Sequence, residues 1–308
     1  MENYRYTDDT KTSIYFGLYP QTLVADEALI ERLNRLTGPL PTKNNYYTWE
    51  RYGYFSHGII VEYAFFMDIQ LKGEIYRGVY FTMYRDGTTV SADEFKGIQE
   101  YNGYKTNIVY WFKFEPIKWN ILKIKNNKAL IVSDKILDAQ NFNYTIDTKE
   151  LAIDYQNNVM RGIVKSNNYK YSSIRFWLNV RFYRWAFDKN ERKIIDETNV
   201  DNSIRSVKEN LNVYICDDTK DKIFLPSVRD LYTYFRPIEK RLINGTDYSK
   251  CQGLSVDENF KGNCFWTRSP KGVDGMPLIN FINHDGHRHT CSAFYTDIGV
   301  LPMCWINL

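Results

Sequence analysis

The stretch from residue 46 to residue 133 leaves few folds open, because aromatic and β-branched residues dominate it. It contains "YGYFSHGIIVEYAFFMDI", "EIYRGVYFTMYR" and "NIVYWFKFEPIKWNILKI", separated by short polar segments. Such residues favour extended backbone over helix. Near its end, Asn126-Asn127 lies between two apolar runs and predicts a tight hairpin turn. We therefore predict antiparallel strands, with an earlier strand over 13–22 in "SIYFGLYPQT".

Three other segments have helical spacing of their apolar residues. Residues 29–36 follow Asp26, a residue type that caps helices. Residues 174–185 follow a pair of serines, and residues 228–235 follow Ser227, with Asp230 three positions later as in a capping box. Strand runs and helix runs are segregated along the chain, which predicts the α+β class.

Composition narrows the function classes. The 308 residues carry 40 Lys plus Arg against 37 Asp plus Glu, a net charge of +3 without blocks of one sign. This balance does not select nucleic acid or an anionic membrane as a partner. The longest apolar stretch, 59–67, is too short to cross a bilayer, and no secretory leader is visible. We expect a cytoplasmic or particle-associated protein that binds neither nucleic acid nor membrane.

The segment "NHDGHRHTC", residues 283–291, holds three of the four histidines in the chain. If Asp285-Gly286 forms a two-residue type I′ turn, the following pairs lie opposite each other on one sheet face: His284 with His287, Ile282 with His289, and Asn280 with Cys291. Such a face is sterically compatible with zinc or copper held by His284, His287, His289 and Cys291. The alternative is an exposed ligand face without metal.

Five cysteines without CxxC spacing predict reduced, mostly buried thiols. A nucleophilic pair of one cysteine with His287 or His289 stays open, because such partners meet in space and not in sequence. No phosphate-binding glycine loop, Gly-x-Ser-x-Gly turn or His-Glu-x-x-His helix occurs.

Several motifs occur in an order that resembles a bacterial domain family of unknown function. They are "IYFGLYPQT", "EPIKWNIL" followed by "ALIVSDKILD", "SSIRFWLN", "DKIFLPS", "FWTRSP" and the terminal "IGVLPMCWINL". That family is similar in fold to C-type lectins, in the subgroup with formylglycine-generating enzymes and retroelement variable proteins. The resemblance implies one C-type-lectin-like domain over 1–308, with 25–112 as a β-rich insertion. It also implies paired N- and C-terminal strands, two or three packed helices and long irregular segments.

The resemblance also sets expectations for single residues. It implies a core role for Trp119, Trp177, Trp266 and Trp305, and internal anchoring by Arg175 and Arg268 through carboxylates or carbonyls. Glu115-Pro116 lacks the following Asn of a calcium-binding lectin loop, and no Trp-Asn-Asp strand occurs, so calcium-dependent sugar binding is disfavoured. Cys291 lacks the second nearby cysteine that a copper-binding formylglycine-generating enzyme uses.

The leading hypothesis is a non-enzymatic recognition module for a protein or small ligand, without a cofactor. Its ligand face is formed by the hairpin at 278–292 and the neighbouring segments. The candidate residues of this face are Trp266, Arg268, Asn280, His284, His287, His289 and Tyr295. One alternative is a metal- or thiol-dependent oxidase resembling formylglycine-generating enzymes. Another is a structural or receptor-binding component of a phage or injection particle.

Overall fold

The computed structural model describes residues 4–8, 10–42, 44–56, 59–85, 97–143, 166–203, 206, 216–273 and 276–308. Within these ranges, no helix is long and apolar enough to span a membrane.

Fifteen strands occur in the described part of the chain, and most pair in antiparallel fashion. They are β1 (Arg5–Tyr6), β2 (Ser13–Leu23), β3 (Glu50–Ser56), β4 (Ile59–Leu71), β5 (Glu74–Phe81), β6 (Val109–Lys125), β7 (Lys128–Ser133), β8 (Asp138–Ala139), β9 (Thr198–Val200), β10 (Thr219–Asp221), β11 (Phe265–Val273), β12 (Met276–Ile282), β13 (Arg288–Ser292), β14 (Gly299–Val300) and β15 (Met303–Asn307).

The helices are short. They are α1 (Glu27–Leu36), α2 (Ile98–Tyr101), α3 (Ser173–Phe176), α4 (Tyr183–Ala186), α5 (Glu191–Ile194), α6 (Val228–Tyr234) and α7 (Asp247–Cys251), with a π-helical segment at Trp177–Phe182 between α3 and α4. The predicted caps are confirmed, since Asp26 accepts from the Leu29 N–H and Ser172 from the Arg175 N–H. Ser227 and Asp230 form the predicted capping box at the start of α6. The α+β class is thus consistent with the structure.

The larger sheet is organised around the long strand β6. On one side β6 pairs with β2. On its other side it pairs with β5 near its beginning and with β7 near its end. Strands β3, β4 and β5, which lie in the predicted insertion 25–112, therefore extend the same sheet. The N- and C-terminal strands do not pair directly: β2 pairs with β1 and β6, whereas β15 pairs with β7. The expected terminal pairing is wrong because β6 and β7 lie between the two terminal strands.

The turn between β6 and β7 is the predicted one. Lys125 pairs with Lys128, so the loop contains only Asn126 and Asn127, with φ of 52° and 56°. Positive φ at both loop residues is the mark of a type I′ turn, and asparagine tolerates it better than most residues.

Three of the four motif tryptophans occupy the interior, as expected for core residues, and the fourth packs against the core while half-buried. Trp119 and Trp266 are fully buried, Trp177 is buried and Trp305 is half-buried. Trp119 Nε1 donates to the Phe16 carbonyl oxygen over 2.7 Å, which ties β6 to β2. Burying a large apolar side chain stabilises a fold by roughly 1.5–3 kcal/mol.

A buried arginine joins the predicted insertion to the rest of the chain. Arg77 on β5 is 1% exposed and donates from Nε and Nη2 to both carboxylate oxygens of Asp68, each over 2.8 Å. Its guanidinium also lies 5.2 Å from the Trp185 ring centroid and 5.9 Å from that of Tyr248. A planar cation that is paired in this bidentate way and stacked on aromatic rings tolerates burial.

A five-stranded sheet carries the segment with the histidines. Among the described residues its strand order is β13-β12-β11-β14-β8, so β13 lies at one edge of the sheet as described. Strand β14 pairs with β11 in parallel and with β8 in antiparallel fashion, which connects this sheet to the chain that follows β7.

Candidate functional site

The hairpin between β12 and β13 has a different turn from the predicted one. Ile282 pairs with Arg288, and the Asn283 N–H donates to the His287 carbonyl oxygen over 2.8 Å. The loop therefore has three residues, 284–286, and only Gly286 has positive φ, at 80°. This is a turn closed by a left-handed glycine, the common form of a three-residue hairpin loop. The prediction of a two-residue type I′ turn is wrong.

The extra loop residue shifts the predicted pairing by one position. His289 lies opposite Phe281, and Cys291 lies opposite Ile279, where the sequence predicted Ile282 and Asn280. Because side chains alternate between sheet faces, such a shift changes which residues share a face. His287 and His289 still share a side of β13, while His284 belongs to the loop.

The three histidines occupy different environments. His284 is half-buried, with Nδ1 3.2 Å from Cys264 Sγ and Nε2 3.2 Å from the Ser255 carbonyl oxygen. The His287 side chain is 61% exposed, and its Nδ1 lies 3.3 Å from Asp285 Oδ2. His289 is exposed, and its ring centroid is 6.2 Å from that of Phe281. Two of the three imidazoles are thus available to a partner at the edge strand.

Arg268 and Trp266 lie in the interior. Arg268 Nη1 donates to the Leu225 carbonyl oxygen over 2.6 Å and to Asp230 Oδ2 over 2.8 Å. Because Asp230 also caps α6, this arginine fixes the helix start against β11. Trp266 Nε1 donates to the Gln140 carbonyl oxygen over 2.8 Å. The expected anchoring role of Arg268 is confirmed.

Asn280 is also buried, at 1% exposure, where β11 is irregular. Its Nδ2 donates to the carbonyl oxygens of Ser269 and Pro270, over 3.0 and 3.1 Å. Between the pairs that Trp266 and Pro270 form with β12, the register of β11 shifts, and the Asn280 amide satisfies backbone groups freed there. Asn280, Trp266 and Arg268 are thus buried and serve the packing of β11, although the Trp266 ring contacts that of Phe281, which lies beside His289.

Arg175 is the second predicted anchor, and it pairs as expected. Its Nε donates to Asp221 Oδ1 over 2.7 Å, and its Nη1 donates to the Lys170 carbonyl oxygen over 2.8 Å. Tyr295, the remaining candidate of the ligand face, is half-buried, and burial raises the pKa of its hydroxyl.

All five thiols of the chain are free and buried. Burial raises the pKa of each, that of Cys216 to about 11, and those of Cys251, Cys264, Cys291 and Cys304 as well. A thiol with a raised pKa is protonated at neutral pH and is a poor nucleophile and metal ligand. Cys291, the cysteine of the predicted metal set, is 8% exposed.

The imidazole nearest to a thiol is that of His284. The sequence had left open a pair of one cysteine with His287 or His289, but the hydrogen-bonded pair is Cys264 with His284. Across the described ranges, no group of three His, Cys, Asp or Glu side chains is arranged so that it could hold a metal ion.

Sequence reasoning also missed a buried carboxylate. Asp138 is fully buried and accepts from the Tyr19 hydroxyl over 2.7 Å and from the Tyr52 hydroxyl over 3.1 Å. Burial is the largest influence on its carboxyl and raises the pKa. Ala139 and Gln140 also donate to it, but its two tyrosine partners come from strands 119 and 86 residues away in the chain, so no local sequence pattern predicts the cluster.

These features define a mixed helix-and-sheet protein with antiparallel sheets, few helices and a polar hairpin at one sheet edge. Residues 126–308 match a family model described as "Domain of unknown function (DUF6273)", and the chain belongs to that family. Both β11 and the hairpin lie within the matched range, whereas β3, β4 and β5 lie before it. No curated protein and no solved structure matches the chain.

Proposed function

We propose that this protein is a non-enzymatic recognition module on a C-type-lectin-like scaffold, which binds a protein or small ligand through the hairpin β12–β13. The observation that carries the proposal is the exposure of His287, which directly precedes β13, and of His289 on β13, the strand at one end of the described sheet order. The lectin-like scaffold is supported by the order of the motifs and by antiparallel sheets with few helices.

The chemistry of this hairpin suits recognition. A neutral imidazole both donates and accepts hydrogen bonds, and its ring offers an apolar face. The Phe281 ring beside His289 adds apolar area, and the Thr290 hydroxyl is exposed on the opposite side of the strand. An edge strand also presents backbone groups along its outer side, which partners use in strand addition.

The oxidase alternative is less well supported. An oxidase of the formylglycine-generating type needs two accessible thiolates to hold copper, whereas burial raises the pKa of all five thiols here. We expect the thiols of the folded protein to react slowly with a thiol-specific reagent and rapidly after unfolding. A fast-reacting thiol in the folded protein, together with stoichiometric copper as isolated, would favour the oxidase instead.

The recognition proposal is tested with the double variant His287→Ala/His289→Ala. A partner captured on the wild-type protein would be purified and its affinity measured for wild type, for this variant and for a matched control. Lys123→Ala/Lys125→Ala is that control, because it removes two exposed side chains from strand β6 beside the other hairpin. We expect the affinity for the partner to fall by at least about tenfold, or 1.4 kcal/mol, in the histidine variant only. Equal affinities for all three proteins would contradict the proposal.

A further inference from the structure

The tip of the hairpin β12–β13 is held between two other segments of the chain. A Cβ on Gly286 would lie 3.1 Å from the Ile238 carbonyl oxygen and 3.3 Å from Leu242 Cδ2. A Cβ on Gly262 would lie 3.1 Å from the His284 carbonyl oxygen. The tip therefore touches the turn at 238–242 on one side and the loop at 255–262 on the other, with glycines where the backbones approach closely.

The His284 ring forms hydrogen bonds that hold this tip to its neighbours. Its Nε2 lies 3.2 Å from the Ser255 carbonyl oxygen, which can only accept a hydrogen bond, so Nε2 carries the hydrogen. In the neutral ring Nδ1 is then an acceptor, and the Cys264 thiol 3.2 Å away donates to it. The neutral imidazole thus links the loop at 255–262 to the start of β11 through both of its nitrogens.

The surroundings of this pair favour the neutral ring. His284 is half-buried beside the Phe260 ring, at a centroid distance of 6.2 Å, and burial lowers the pKa of its imidazole. Three carboxylates oppose this effect: Asp257 in the neighbouring loop, Asp285 in the tip and Asp297 ahead of β14. Arg241 lies against Gly286, and its Nε donates to the Phe235 carbonyl oxygen over 2.8 Å.

Protonation changes the hydrogen bonds of the pair. An imidazolium has a hydrogen on both nitrogens, so Nδ1 no longer accepts from the thiol. Within the described part of the chain, the thiol can donate instead to Asn283 Oδ1 at 3.3 Å, and the positive charge then faces a sulfur, which is a weak acceptor. Since burial disfavours the imidazolium, the folded tip binds less proton than the unfolded chain below about pH 6.5 and loses stability on acidification.

We propose that Cys264 and His284 form a pH-dependent latch that fixes the hairpin tip when His284 is neutral and releases it on acidification. Release changes the presentation of His287, which directly follows the tip, and of His289 on β13. The effect on partner binding rests on the function proposed above, whereas the latch itself does not depend on it.

Hydrogen exchange of the tip amides tests the latch without a partner. The Asn283 and Gly286 N–H groups close the loop, donating over 2.8 and 2.9 Å, and report its opening. After correction for intrinsic exchange, we expect the opening equilibrium constant of the tip to increase about fivefold from about pH 7.5 to about pH 5. Such a change corresponds to the free energy of roughly one hydrogen bond. The Asn126–Asn127 turn of the other hairpin serves as the internal reference and should show no such change.

Two variants and one titration test whether the pH dependence of tip opening comes from His284. His284→Gln keeps a hydrogen-bond donor but cannot titrate here, so its tip opening should not depend on pH. His289→Gln removes an exposed histidine instead and should retain the wild-type pH response.

If either variant fails to fold, NMR titration of His284 in the wild-type protein decides, and a midpoint at or above about pH 6.5 would overturn the latch. So would an opening rate that does not respond to acid, or a response that persists in His284→Gln. Loss of partner affinity in the His287/His289 variant at constant pH is a separate outcome and tests only the proposed function.

Discussion

The two hairpins β6–β7 and β12–β13 carry equally strong turn signals but form different turns. Asn126-Asn127 forms the expected two-residue turn, with positive φ at both positions. Asp285-Gly286 joins His284 in a three-residue loop, in which Gly286 has positive φ. Asn126 and Asn127 are exposed, and Asn127 exchanges hydrogen bonds with Leu308, from its Nδ2 to the Leu308 carbonyl oxygen and from the Leu308 N–H to its own carbonyl oxygen. The second tip is in contact with Cys264, Ser255 and the turn at 238–242. The turn with two exposed residues keeps the form that local propensity predicts, whereas the turn packed against two other segments does not.

Among the variants that test this comparison of the two turns, Gly286→Ala should have the largest effect on stability. The alanine would need a left-handed backbone at φ of 80°, and its Cβ would press on the Ile238 carbonyl oxygen at 3.1 Å. We expect the free energy of unfolding to fall by about 2 kcal/mol, measured by urea titration. Gly73→Ala is a control: it has φ of 86° in the β4–β5 turn but no neighbour within 4 Å, so it reports backbone strain without contact. Equal losses in both variants would show that packing at the tip adds nothing.

Cys264→Ala should have the next largest effect. It removes the S–H donor to His284 Nδ1 and leaves a small void at a residue that is 5% exposed. We expect a loss of about 1–2 kcal/mol in the free energy of unfolding. Cys304→Ala is the matched control, because it makes the same change at a fully buried thiol that has no side-chain hydrogen bond among the described residues. A double-mutant cycle of Cys264→Ala with His284→Gln should reveal coupling, and strict additivity would contradict the hydrogen bond.

Glycine substitutions at Asn126 and Asn127 should change stability less. Glycine relieves the left-handed strain at φ of 52° and 56° but increases the entropy of the unfolded chain, and the two effects oppose each other. We expect each single variant to lie within about 0.5 kcal/mol of the wild-type free energy of unfolding. A larger loss in Asn127→Gly, seen by thermal or urea denaturation, would measure the hydrogen bond from Asn127 Nδ2 to the Leu308 carbonyl oxygen, whereas a larger loss in Asn126→Gly would mean that the turn depends on other tertiary contacts.

His287→Ala/His289→Ala should have the smallest effect on folding. Both side chains are exposed, so the free energy of unfolding should change by less than about 0.5 kcal/mol. Adding His284→Ala to this double variant should lower stability by about 1 kcal/mol, since a buried thiol then loses an acceptor. If the triple variant is as stable as the double variant, the hydrogen bonds of His284 do not contribute to the free energy of unfolding.

Much of the local structure could be predicted from residue order alone. The caps of α1 and α6 depend on residues three positions apart, and the Asn126-Asn127 turn depends on two adjacent residues. Burial of Trp119 and Trp266 also follows from their size and apolarity. The anchoring of Arg268 was expected in kind, through a carboxylate or carbonyl, but its partners Asp230 and Leu225 were not.

The candidate site was predictable only in part. The exposed pair His287 and His289 follows from alternation along one strand. The partners of His284 come from Cys264 and Ser255, 20 and 29 residues earlier in the chain, and no period in the sequence connects them. The Asp138 cluster and the stacking of Arg77 on Trp185 and Tyr248 likewise depend on residues brought together from distant segments.

The sequence by itself determined the main β-rich stretches and three helical segments, where three helices are capped and that one hairpin carries three histidines, but not the short elements β9, β10, α5 and α7. These properties depend on interactions between near neighbours in the chain, namely capping hydrogen bonds and the preference of aromatic and β-branched residues for extended backbone. The tertiary structure alone decided the register of that hairpin, the separation of His284 from His287 and His289, and the neutral state of the thiols. Register and protonation depend on close packing and on burial, and both are set by residues remote in the chain.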